Sequence, residues 1–352
     1  MRRLLAVMFC LLGFLVQVTE AQQRYAWRGL HLDVSRHFFG PDVLARLMNR
    51  MAELDLNYLH LHLTDGPGWR LQIKSYPRLT QVGAWRKRLP EGEWDWSRHE
   101  IGSHFSDCYG GFYSREIMKK LVAYGKRKGI TLVPEIDMPG HSYAALVAYP
   151  ELAIEPPPGC KLGRDVLNVE KPEVRAFARK VLDDVMDIFP AGTPIHLGGD
   201  EVDDRLLSRE QQRRFMQEMV DYVKAKGYQP VTWDEAACNG VRGQWVMLWR
   251  GGLESRVLAM GMPVILCPNT HFYFDYPQRA EDAKPGELVI TPDRVCQYQV
   301  PDSPLVLGLQ GNLWTERIRT EKELLYMAFP RVEALAVKCR TAPAPERRDG
   351  AK

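Results

Sequence analysis

Two rhythms of apolar positions alternate along the chain. Short apolar runs lie at 30–34, 58–63, 131–136, 193–197, 230–233, 244–248, 263–266 and 305–309, and their length is that of strands buried on both faces. Between them, 41–54, 114–128, 172–188, 208–226 and 321–337 carry helical periodicity. Ser114 with Ile117, and Pro172 just inside its stretch, are helix-start signals. Gly129 and Gly227 fall where glycine ends helices. No internal repeat or low-complexity linker interrupts the pattern. Strand and helix alternating about eight times predict an α/β fold, a single-domain parallel (β/α)8 TIM barrel over residues 22–340.

The ends read differently. Arg2 and Arg3 precede an apolar run from Leu4 to Val16 and then Val18-Thr19-Glu20-Ala21, the layout of a signal peptide over 1–21. The run is shorter than the roughly 20 residues that span a bilayer. Export to the periplasm or beyond, without a membrane span, is therefore expected. Cys10 lies inside the apolar run and not at its end, which speaks against a lipid anchor. Residues 341–352, with two prolines and mixed charges, are expected to be disordered.

Composition narrows the chemistry. Hydrophobic content of 45% and charged content of 26% are ordinary for a globular protein. The net charge of +3 is spread along the chain, so nucleic acid is not an expected partner. Beyond the leader stand Cys108, Cys160, Cys238, Cys267, Cys296 and Cys339; none has C-x-x-C spacing, and their pairing stays open. The 9 Trp and 14 Tyr suit a protein that binds sugars on aromatic faces.

In such barrels the active site lies at the C-terminal ends of the strands. Acids and aromatics collect there: Asp33 and Arg36, then Asp65, then Glu135, Asp137 and His141. Asp200 and Glu201 follow the fourth run, Trp233 to Glu235 the fifth, and Trp249 and Arg250 the sixth. Tyr273 and Asp275 follow the seventh, and Trp314 and Glu316 the eighth. The sharpest signal is Ile195-His196-Leu197-Gly198-Gly199-Asp200-Glu201, in which a strand runs through two glycines into paired carboxylates. Glycoside cleavage needs one carboxyl to protonate the leaving oxygen and one charged group to support a cationic transition state. Adjacent like charges raise one pKa, so one acid of the pair can stay protonated near neutrality. A bare Asp-Glu pair equally suits a polar loop or a helix cap.

The chain resembles the catalytic domain of glycoside hydrolase family 20, the β-N-acetylhexosaminidases. The matching segments run in the family's order: Arg28-Gly-Leu-His-Leu-Asp-Val-Ser-Arg-His-Phe38, His60-Leu-His-Leu-Thr-Asp65, Tyr109-Gly-Gly-Phe-Tyr113, Pro134-Glu-Ile-Asp-Met-Pro-Gly-His141, His196-Leu-Gly-Gly-Asp-Glu201, Thr232-Trp-Asp-Glu235 and Asn312-Leu-Trp-Thr-Glu316. The resemblance implies a retaining, substrate-assisted mechanism through an oxazolinium intermediate, in which the sugar's 2-acetamido oxygen attacks C1. Glu201 matches the general acid/base, and Asp200 the residue that orients the acetamide. Asp65 and His141 match the pair that supports the acid. Arg36 matches the arginine on the 3- and 4-hydroxyls, and Glu316 the carboxylate on the 4- and 6-hydroxyls. Trp233, Trp249 and Trp314 match the aromatic walls, Tyr273 the tyrosine on the acetamido oxygen and Asp275 a nearby polar contact.

The resemblance implies no cofactor and no metal. Its implied partner is a glycan or oligosaccharide ending in N-acetylhexosamine, gluco or galacto. One departure is expected: the small α/β domain that precedes the barrel in many members is missing here. Two rival readings stand beside this one. His60 and His62 share a strand face near Asp65, as ligands of a metal-dependent barrel hydrolase would. A non-catalytic carbohydrate-binding barrel would equally be aromatic-rich and secreted.

Overall fold

Every apolar run forms a strand of one closed barrel. In the computed structural model, which describes residues 25–90, 94, 99–155 and 165–341, these are β1 (Trp27–Asp33), β2 (Tyr58–His62), β3 (Thr131–Glu135), β4 (Pro194–His196), β5 (Gln229–Trp233), β6 (Trp245–Leu248), β7 (Val264–Leu266) and β8 (Val306–Leu313). They lie side by side in chain order, all parallel, and β8 closes on β1. The leader 1–21 with its Cys10, the tail beyond Thr341 and Cys160 lie outside the described residues.

A period of two along each strand sorts the side chains. Leu30, Leu32, Leu59 and Leu61 face outward and pack with Leu44, Met48 and Met118 of the surrounding helices. The inward residues form a separate core of Trp27, Val133, Val231, Trp233, Met247, Ile265 and Cys267. Among them the lumen also buries His31, His60, His62, Glu135, His196, Gln310 and Asn312. Buried polar groups need partners, and the Glu135 carboxylate supplies several: it faces His60, His62 and His196 and accepts the indole N–H of Trp233.

The helices follow their signals with one exception. Ser114 caps Arg115–Arg127 by accepting from the Ile117 N–H, and Ser208 forms a capping box with Gln211. Gly129 and Gly227 take positive φ after their helices. The single helix expected over 321–337 is instead two, Glu321–Ala328 and Arg331–Cys339. Pro330 forces this, because the residue before a proline is driven to extended backbone; Phe329 sits at φ −105°, ψ 140°. The connections after β5, β6 and β7 carry only the short helices Asp234–Cys238, Glu254–Leu258, Asn269–Phe272 and Pro292–Gln297. Among the described residues, no disulfide forms and no helix is long and apolar enough to cross a membrane.

Candidate active site

All but one of the candidate residues line a single pocket of about 440 Å³ at the C-terminal ends of the strands, within the size range of ligand sites. Arg36, Asp65, His141, Asp200, Glu201, Trp249, Tyr273, Asp275, Trp314 and Glu316 all reach it. The exception is Trp233, which is fully buried in the lumen and holds Glu135 through its indole nitrogen. It packs behind Trp314, with ring centroids 6.1 Å apart, and so backs the aromatic wall without forming it. The alternation of strand residues sets this, since Trp233 is the last inward position of β5.

Asp200 and Glu201 are unequal. Asp200 is 8% exposed, and its Oδ1 has no protein partner. The Glu201 side chain is 58% exposed, at the mouth. Gly198 and Gly199 both hold positive φ, and a Cβ on Gly198 would lie 1.6 Å from the Asp137 carboxylate. The missing side chain lets Asp137 come alongside, accepting the Gly199 N–H at 3.2 Å. Burial, together with Asp137 and Glu201, holds the Asp200 carboxyl well above its ordinary range. Burial also pushes Asp137 up to about 7. The hydrogen bond from His141 instead lowers Glu201. Of the pair, therefore, Asp200 is the member whose surroundings favour the proton.

Behind Glu201 runs a string of alternating charges. Nε2 of His141 faces Glu201 at 3.5 Å and Asp200 at 3.9 Å, while its Nδ1 faces Asp65 at 3.2 Å. The same Asp65 oxygen meets His62 Nε2 at 2.8 Å, and His62 Nδ1 meets Glu135 at 2.6 Å. His141 and Glu201, in contact with each other, both adopt left-handed backbone at φ 51° and 50°, a conformation that clusters at functional sites. Burial would lower both imidazoles, but the flanking carboxylates outweigh it. His62 is raised to about 10 and His141 well above its usual value. Asp65, against Arg36 and His141, is held well below its usual range despite burial.

Arg36 anchors the opposite wall. Its guanidinium lies 2.8 Å from Asp65, 3.5 Å from Asp33 and 3.6 Å from Glu316. Asp33 accepts the N–H groups of Ser35, Arg36 and Thr315, tying the loops after β1 and β8 together. The buried Arg70 donates to the carbonyls of Val34, Ser35 and Ala84 and so fixes the turn that carries Arg36. Burial and the neighbouring Glu316 push Asp275 up to about 8. Its loop is held from below by Arg331, whose guanidinium donates to the carbonyls of Phe274 and Tyr276 at 2.7 Å.

A pocket with paired acids, a basic clamp and stacked aromatics matches one family throughout. The model of the glycosyl hydrolase family 20 catalytic domain covers residues 25–339. The chain belongs to that family. As a family 20 member it is a glycoside hydrolase. It is 32% identical to a beta-hexosaminidase of Akkermansia muciniphila over 91% of this chain and 69% of that one. A beta-hexosaminidase of Vibrio furnissii matches at 32% over 91% and 57%. Among solved structures, the exo beta-N-acetylglucosaminidase of Vibrio harveyi in complex with N-acetylglucosamine superposes with a TM-score of 0.79 at 30% identity, covering 93% of this chain and 55% of that one. The beta-N-acetylhexosaminidase of Streptomyces coelicolor gives 0.77 at 31% identity, over 93% and 66%. The chain thus spans little more than half of some of these relatives.

The family 20 pocket also contains residues to which the resemblance gave no role. His62, which the sequence offered with His60 as a metal ligand, lines the pocket and carries the charge string inward. Asp137, Trp94, Tyr276, Glu287 and Arg317 complete the lining. Among the described residues, three groups of donor atoms lie close enough to share a cation: His31–His60–Glu135, His62–Glu135–Asp137 and Asp137–His141–Asp200. His62 and His141 turn both ring nitrogens to carboxylates that keep them protonated, and a protonated nitrogen has no lone pair for a metal. The second and third groups therefore fit a metal poorly.

Proposed function

We propose that this chain is a retaining exo-β-N-acetylhexosaminidase that removes terminal β-linked N-acetylglucosamine or N-acetylgalactosamine. The observation that carries the reading is the unequal burial of two adjacent carboxyls. Asp200 sits inside, in a pocket walled by Trp249, Tyr273 and Trp314, where a 2-acetamido group fits. Glu201 stands at the mouth, where a leaving group departs.

A bound sugar inverts the order in which the two carboxyls favour their protons. Its acetamido N–H donates to the unpartnered Asp200 oxygen, which favours the carboxylate. Its ring covers Glu201 and expels water, which favours the protonated acid. The carboxylate of Asp200 then orients the acetamide, whose carbonyl oxygen attacks C1 while Glu201 protonates the glycosidic oxygen. The resulting oxazolinium is positive beside Asp200, and Glu201 next activates water to open it. No protein nucleophile is needed, in contrast to the ordinary retaining scheme. Arg36 and Glu316 grip the sugar hydroxyls through charge-assisted bonds. Export of the enzyme belongs to the same proposal and rests on the leader-like residues 1–21.

A panel of aryl β-glycosides, with and without the 2-acetamido group, tests the reading. Turnover should require the acetamide, and a thiazoline analogue of the intermediate should inhibit tightly. Equal turnover of glucosides and N-acetylglucosaminides, or weak thiazoline binding, would refute it.

A further inference from the structure

The dipeptide Asp234-Glu235 at the end of β5 has no place in that chemistry, yet both carboxylates point at one residue, Trp249. Asp234 is fully buried, and its Oδ1 accepts the backbone N–H of Trp249 at 3.1 Å. Its Oδ2 takes Nε of the neighbouring Arg250 at 2.6 Å. Glu235 takes the side chain: its two oxygens lie 3.0 and 3.2 Å from the indole nitrogen. One acid thus fixes where Trp249 begins, and the other fixes how its ring is turned. The ring stacks on Tyr273 at 6.1 Å and 23° and forms one wall of the pocket.

We propose that Glu235 is a positioning residue that sets the acyl-size selectivity of this enzyme, by locking the Trp249 ring so that the wall admits acetyl and excludes longer acyl groups. This rests on the acetamide-binding reading above. An indole has a single polar atom, and a ring in an apolar wall can be oriented by hydrogen bonding only there. Without the acceptor the N–H is left unsatisfied, which penalises the present orientation and drives the ring toward another partner or toward water. Either rotation opens the wall. The far side of Glu235 borders a second, polar cavity lined by Glu201, Asp204, Asn239, Arg250 and Arg256. Its side chain is 16% exposed, so replacing it does not hollow out the core. Burial, with Asp200 and Asp234 nearby, pushes Glu235 up to about 8. A neutral acid still offers a carbonyl oxygen to the indole, and so does glutamine.

The test compares kcat/KM for aryl β-glycosides of N-acetyl-, N-propionyl- and N-butyrylglucosamine. A closed apolar pocket discriminates one methylene by roughly 10- to 200-fold, and the wild type should fall in that range. Glu235→Met keeps the volume and removes the acceptor; the acetyl-to-propionyl ratio should fall about tenfold or more. Glu235→Gln should restore the ratio to near the wild-type value. A merely structural role would lower all substrates together and leave the ratio unmoved. A Met variant with the wild-type ratio, or a Gln variant as unselective as the Met variant, would overturn the proposal. Should the Met variant not fold, Glu235→Ala, whose gap is open to the second cavity, is judged by the same ratio. A wild type that turns over all three acyl substrates alike would overturn this proposal before any variant is made, whereas a wild type that turns over none of them would refute the proposed function.

Discussion

Replacing Asp200 by asparagine should stabilise the protein while crippling its chemistry. The carboxyl is 8% exposed and lies within 4.8 Å of oxygen on Asp137. At an effective dielectric of 20, that repulsion is worth about 3.5 kcal/mol when both are ionised. His141, 3.9 Å away, returns about 4 kcal/mol of attraction on the same scale. The two nearly cancel, which leaves the desolvation of a buried ion, several kcal/mol in practice. A neutral amide without partners costs about 1–3 kcal/mol instead. The difference, about 2 kcal/mol, is the expected gain, or roughly 4 °C in melting temperature for a domain of this size.

The pH dependence is the stricter check on Asp200→Asn. The folded pKa of Asp200 is raised above its unfolded value of 3.8, so as pH rises past that value the unfolded chain ionises first and stability is lost until the folded pKa is reached. Below about pH 4 the group is protonated in both states and contributes nothing. The variant should therefore gain at pH 8 and be indistinguishable from wild type at pH 4, as measured by thermal or urea unfolding. Its turnover should meanwhile fall roughly 100- to 1,000-fold, as when a charge-stabilising group is removed. A variant less stable than wild type at pH 8, or an equal difference at both pH values, would refute the electrostatic account of the pair.

Two further outcomes follow from the same geometry. Glu201→Gln removes the proposed general acid, which His141 contacts at the mouth, so the fold should be unaffected. Turnover of alkyl glycosides should drop roughly 100- to 10,000-fold and that of activated aryl glycosides far less; equal losses would contradict its role. Arg36→Met leaves Asp65, Asp33 and Glu316 without their shared cation and should cost about 3–5 kcal/mol of stability, read by denaturant titration. In kinetics, deleting the substrate's 4-hydroxyl should hurt the wild type but barely change this variant, and an equal penalty in both would show that Arg36 does not touch that hydroxyl.

The strands were legible because a barrel strand is buried on both faces and reads as an unbroken apolar run. The site was legible as a set of positions following those runs, and its pairing of roles came from the motif resemblance. Other features depended on what sequence spacing does not encode. The place of His62 in the pocket was not legible because its link to Asp65 needs the tight turn formed where Thr64–Asp65 pairs with Gly68–Trp69. Trp233 looked like pocket because a strand's last inward residue can face either lumen or ligand. The amphipathic period continues on both sides of Pro330 and hid the break there. The reversed proton preference of Asp200 and Glu201 comes from a difference in burial between neighbouring residues, and only the fold creates it.

That break gives Arg331 its position as the first residue of the last described helix, with its guanidinium among the carbonyls of Phe274, Tyr276 and Ile290. The carboxyl-terminal helix is thereby a strut for the loop bearing Tyr273 and Asp275. The smallest working unit of this enzyme must extend through Cys339, since trimming that helix would release from beneath the loop that carries Tyr273, Asp275 and Tyr276 into the pocket, while leaving both acids in place.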